Sequence, residues 1–127
     1  MERFLWVCLG SALGGGARYL TSQLAVALLG AGVPWGTLAV NVVGSFLIGL
    51  IMHVGLTTDL ISPTLRLFLT TGVMGGLTTY STFNYETLGF LREGSWELGL
   101  ANLLGTVVIC LAAGLLGLAA GRAIAGG

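Results

Sequence analysis

Four stretches of the chain carry no charged residue: 4–17, 19–58, 67–85 and 98–121. A helix that crosses a bilayer needs roughly 20 consecutive, mostly apolar residues. The second stretch holds the end of one such helix and the whole of the next, divided near Gly30, Gly32 and Pro34. The pattern predicts four spans, at about 4–29, 35–57, 65–91 and 96–122, within one membrane domain over 1–127. The connections are short and almost no chain remains for a soluble unit. The expected fold class is an all-α membrane protein.

One segment does not suit lipid. Residues 70–86, TTGVMGGLTTYSTFNYE, put glycine pairs, hydroxyls, aromatics and a glutamate inside the third span. Polar groups and irregular backbone persist at membrane depth only where protein buries them or where they line water. Gly72, Gly75 and Gly76 each lower helix stability by up to about 1 kcal/mol relative to alanine. Thr78, Thr79, Ser81 and Thr82 then compete for the freed backbone groups. One reading is a break around 75–79 whose carbonyl oxygens suit a small, hard cation such as sodium. The other is a glycine-packed helix with its hydroxyls bonded back to the preceding turn.

Composition strengthens the membrane reading. The 127 residues are 55% hydrophobic and 8% charged, with a mean hydropathy of +0.96, against about 25% charged residues in a soluble domain. Residues 1–17 also have the outline of a leader, with Arg3 ahead of an apolar run. The run continues past Arg18 into more apolar sequence, which favours a first span. Cys8 and Cys110 both fall inside predicted spans and read as small packing residues rather than a disulfide or metal pair. His53 is the sole histidine, so no bis-histidine site is available, and it reads as an interfacial polar residue.

Arginines alone supply positive charge, and they are too evenly spread to fix orientation through the positive-inside rule. The chain is read as N-terminus-in or as inserting both ways up, which permits an antiparallel dimer. Twenty-two glycines, with Gly10-x-x-x-Gly14 and Gly72-x-x-x-Gly76, favour close helix contact and an obligate oligomer.

Several polar or aromatic positions each have two readings. Tyr80 and Phe83 share a helical face; their positive ring edges can approach an anion, or they fill a helix interface. Asn41 donates to an anion or ties two helices together. Asn102, Thr106 and Cys110 form a stripe at i, i+4 and i+8, a polar track or a polar seam, with Leu98 ending it one turn earlier. Arg18 and Glu86 are the deepest charges. Arg18 concentrates anions at a vestibule or anchors structure, and Glu86, which repels anions unless protonated, paired or turned away, is open; a mutual salt bridge is a further reading.

These pieces together resemble the Fluc (CrcB-type) fluoride channels over essentially the whole chain. GGGARY at 14–19, GTLAVNVVGSF at 36–46 and TGVMGGLTTYSTFNYET at 71–87 carry the resemblance, and ANLLGTVVICLAAGLLG matches loosely. It implies a four-helix subunit with a break in the third helix, paired as an antiparallel, dual-topology homodimer with two pores. It implies sodium at the dimer centre, held by the backbone carbonyls of Gly75 and Thr78. The implied fluoride pathway takes in Asn41, Tyr80, Phe83, Ser81, Thr82, Asn102, Thr106, Arg18 and Glu86. The expected function is a passive leak of F⁻ out of the cytoplasm through the inner (plasma) membrane, not an enzyme reaction. Two positions depart from the pattern: Tyr80, where phenylalanine is common, and the fourth-helix track with Leu98 and Cys110.

Two rival readings are carried. A small exporter of cationic drugs needs an embedded carboxylate, and the deep charge of the first span is an arginine. A non-transporting assembly subunit would use its polar residues only as glue between helices and would conduct nothing.

Overall fold

The computed structural model describes residues 1–126. All regular structure among them is helical. Helix α1 (Glu2–Leu29) ends where Gly30 takes a positive φ of 82° and donates its N–H to the Val26 carbonyl. Helix α2 (Trp35–Thr57) begins directly after Pro34, so the glycine–proline cluster separates the two as the sequence predicts. Helix α3 covers 63–77. It starts at Pro63, capped by Ser62, whose hydroxyl accepts from the Leu65 N–H. It then winds as a π-helix over Phe68–Met74 and ends in the turn Gly75–Leu77. Thr78 and Thr79 are extended, with φ/ψ of −85°/155° and −152°/122°. Helix α4 (Tyr80–Arg92) follows, and after a short turn α5 (Trp96–Ala125) completes the chain.

Two glycine seams organise the helices. A Cβ built on Gly10 would stand 2.7 Å from the Phe68 carbonyl oxygen, and one on Gly14 would overlap the carbonyl of Val73. The main chains of α1 and α3 therefore touch, running in the same direction. The second seam joins α2 and α5. A Cβ on Gly49 would lie 2.6 Å from the Gly114 carbonyl oxygen, and one on Gly117 would overlap that of Phe46. Small residues at both seams let main chains approach as larger side chains would not.

The π-helical winding of α3 was not expected from the sequence. It lies along the seam with α1, where Thr70 Oγ1 donates to the Arg66 carbonyl at 2.8 Å. Hydroxyls that bond back to the preceding turn loosen and bend a helix, and packing against α1 holds the altered winding.

Helices α2 and α5 are long and apolar enough to cross a membrane, with mean hydropathies of 1.9 and 2.4. Large apolar residues remain exposed along the bundle, among them Leu20, Leu28, Leu104, Val108 and Leu116. The core is thin. Among the described residues, Val40, Ile51, Val54, Met74, Phe83 and Ala113 are its buried apolar residues, and no large side chain is fully enclosed.

Candidate functional site

The extended pair Thr78–Thr79 exposes main-chain groups that an unbroken helix would pair. In a continuous helix the Thr79 N–H would bond to the Gly75 carbonyl, four residues back. Here it donates to Asn41 Oδ1 at 2.9 Å, while Asn41 Nδ2 donates to the Thr79 carbonyl at 3.1 Å. The Thr82 N–H, which would serve the Thr78 carbonyl, donates instead to Thr79 Oγ1 at 3.2 Å. The carbonyls of Gly75 and Thr78 thus lose their usual helical donors. The intervening Gly76 carbonyl accepts from Arg18 Nε at 3.1 Å.

Asn41, Gly75, Thr78 and Thr79 border a groove of about 720 Å³ whose wall also includes Tyr80, Phe83 and Thr106. Tyr80 and Phe83 meet edge to face, with ring centroids 5.9 Å apart and planes at 72°. They differ sharply in setting: Phe83 is 5% exposed and Tyr80 is 77% exposed. Ser81 and Thr82 sit in the first turn of α4, grouped with the Thr79 hydroxyl, which donates to Thr82 Oγ1 at 3.1 Å and lies 3.4 Å from Ser81 Oγ. That hydroxyl also caps the helix, a role that satisfies one of the orphaned N–H groups of a helix start.

A polar string runs behind Phe83. Thr87 Oγ1 donates to the Phe83 carbonyl at 2.8 Å and accepts from Asn102 Nδ2 at 2.9 Å. Thr106 Oγ1 approaches Asn102 Oδ1 at 3.5 Å. The stripe of α5 is therefore shared out: Thr106 and Cys110 face the groove, whereas Asn102 turns to α4.

Arg18 and Glu86 do not pair. Arg18 is bonded to Gly76. Glu86 lines a second pocket of about 340 Å³ with Ser22, Thr37 and the α1–α2 turn, and its buried Oε1 has no hydrogen-bond partner. The structure thus gathers Asn41, Gly75, Thr78, Tyr80, Phe83 and Thr106 at one groove and sets Glu86 apart.

Two residues that the sequence reading did not single out as site residues are central to this network. Thr79 is the hinge on which Asn41 closes, and a threonine directly ahead of a helix is a capping signal. Thr87 lies one helical turn beyond Phe83 on the same face, at the end of the string 71–87.

Comparison with known proteins converges on one family. Residues 5–118 match the family described as CrcB-like protein, Camphor Resistance (CrcB). The chain is 54% identical over 127 residues, the whole of both chains, to the protein named Fluoride-specific ion channel FluC of Sorangium cellulosum. It is 57% identical over 113 residues to the protein of the same name from Anaeromyxobacter dehalogenans, covering 89% of this chain and 90% of that one. For the Pelobacter propionicus protein, again of that name, the figures are 48% over 124 residues, with 98% and 96% covered.

Proposed function

The chain belongs to the CrcB-like family, and from that premise we propose that it is a fluoride-specific ion channel, letting F⁻ leave the cytoplasm passively. The observation that carries the reading is the full-length 54% identity to a protein named for that activity. The protein is not an enzyme: channel conduction involves no chemical step. Hydrogen fluoride crosses membranes undissociated and ionises inside the cell, so a leak of F⁻ driven by membrane potential lowers its toxicity.

Fluoride is small and strongly hydrated, and a selective path must replace its water shell with donors while letting the ion leave again. The groove offers such donors. Asn41 has one Nδ2 hydrogen beyond that given to Thr79, Thr106 brings a hydroxyl, and Phe83 and Tyr80 bring ring edges. Ser81 and Thr82 extend the hydroxyl cluster, and Asn102 continues it behind Phe83 through Thr87. In this reading Arg18 and Glu86 act at the ends of the path. Arg18 adds positive charge near the extended segment, and Glu86 faces the second pocket.

Residues 78–79 serve, in this proposal, as the break in the third spanning helix. Sodium fits there on the chemistry of the donors: Gly75 and Thr78 present carbonyl oxygens whose usual helical donors are diverted. Sodium bound to them would offset the negative ends of these carbonyl dipoles.

The assembly is read as an antiparallel, dual-topology homodimer in the inner (plasma) membrane, each copy a single four-helix domain surrounded by lipid. The groove opens at the protein surface beside exposed Tyr80, and among the described residues no large side chain is fully enclosed within one copy. Both features favour a second copy over that face. Evenly spread arginines favour insertion in either orientation.

The test is halide efflux from liposomes containing only this protein. Fast release of fluoride with little chloride, lost on Phe83→Ile, is the expected result. No release of either halide from folded, reconstituted protein overturns the channel reading.

A further inference from the structure

The hydrogen bond between Arg18 and the Gly76 carbonyl has a role that vestibule charge alone does not explain. We propose that Arg18 restricts the cation at the 78–79 break to single charge, by taking the Gly76 carbonyl out of the cation's shell and by repelling divalent ions. The inference rests on the sodium reading above and concerns Arg18 alone.

The glycine seam places the guanidinium. Gly14 lies in main-chain contact with Val73 and Leu77, and Arg18, one turn further along α1, shares its face. Arg18 is half-buried there, with Nε 3.1 Å from the Gly76 oxygen. No carboxylate lies within ion-pair distance of it among the described residues, and the nearest charge in the sequence of α4, Glu86, faces the second pocket.

Two consequences follow for a cation held by Gly75 and Thr78. First, the carbonyl between them in sequence already accepts a charged donor, so it is a poor third ligand. Second, the charge of Arg18 has no neutralising partner. Repulsion from a fixed positive charge is twice as large for a divalent as for a monovalent ion at the same distance, and burial weakens its screening by salt. Divalent calcium is ordinarily held by several oxygens that include carboxylates. This site offers neutral carbonyls and a guanidinium.

The experiment uses the full-length protein in detergent, freed of sodium by dialysis against an organic-cation buffer. Binding of radioactive sodium is competed with unlabelled sodium or calcium at matched ionic strength. In the unmodified protein, calcium should compete at least about tenfold less well than sodium, in the direction that the larger repulsion of a divalent ion from Arg18 gives. Arg18→Gln removes the charge and should make calcium an effective competitor. Arg18→Lys keeps the charge but not the planar Nε donor; calcium should stay excluded while sodium affinity changes.

Equal competition by calcium and sodium in the unmodified protein overturns the proposal. So does continued exclusion of calcium in folded Arg18→Gln. Should that variant not fold, the unmodified protein and Arg18→Lys decide, since calcium entry in either contradicts a charge barrier. Absence of sodium binding in the unmodified protein would remove the sodium reading as well, whereas sodium binding indifferent to Arg18 removes this inference alone. Fluoride efflux, measured in parallel, reads the channel function independently.

Discussion

Asn41 grips both ends of one residue: its Oδ1 accepts the Thr79 N–H at 2.9 Å and its Nδ2 donates to the Thr79 carbonyl at 3.1 Å. The side-chain amide stands in for a neighbouring strand, pairing an extended residue that has no helical partners. Asn41→Ala should therefore cost roughly 1–3 kcal/mol for each main-chain group left unsatisfied. The expected result is a lower unfolding midpoint in detergent together with loss of fluoride efflux. A variant of unchanged stability and flux would show the pairing to be dispensable.

Phe83 and Tyr80 should respond differently to substitution because one is buried and the other exposed. Phe83→Ile removes the ring edge and should abolish fluoride efflux, with the protein still folding. Tyr80→Phe keeps the ring and its edge-to-face partner, so efflux should stay within about tenfold of the parent, a hydroxyl contact in water being worth roughly 0.5–1.5 kcal/mol at most. Stopped-flow fluoride electrode traces on both variants provide the check.

The α1–α3 seam predicts a contrast between neighbouring glycines. Gly14→Ala forces a methyl group into the Val73 carbonyl, whereas a Cβ at Gly16 meets nothing within 4 Å. Gly14→Ala should abolish folded yield. Gly16→Ala should be neutral or stabilise by up to about 1 kcal/mol through helix propensity. Size-exclusion profiles and unfolding midpoints of the two variants separate them.

Thr87→Val keeps the shape of a buried side chain but removes the acceptor for Asn102 Nδ2. Leaving that donor unpaired should cost about 1–3 kcal/mol, and combining it with Asn102→Leu should recover part of the loss. A double-mutant cycle on thermal unfolding measures the coupling, which should fall between about 0.5 and 3 kcal/mol for residues in contact. Strict additivity would mean that the string behind Phe83 is not a unit.

Much of the helical layout was legible because it depends on local features. Gaps between charges marked the long helices α1, α2 and α5, and Gly30 and Pro34 marked the first turn, with α1 ending at Leu29 and α2 starting at Trp35. The π-helical stretch Phe68–Met74 was not legible, since it depends on how closely α1 can approach. The same limit hid what Arg18 and Asn41 bond to. Sequence spacing placed both inside spans, but their partners lie 58 and 38 residues away. Glu86 was grouped with the pathway residues through its place in the same string, yet its turn of α4 faces the second pocket. Neighbours along a helix need not share a cavity.

The side chains that hold the extended segment, Arg18 and Asn41, both precede it in the chain. Synthesis proceeds from the N-terminus at about 5–20 residues per second. By the time Thr78 and Thr79 leave the ribosome, the helices bearing their anchors have already been made. The segment least able to form a continuous helix on its own is thus made after both of the side chains that hold its main chain. Moving Asn41 or Arg18 to a later helix would preserve the same contacts on paper and remove that order of assembly.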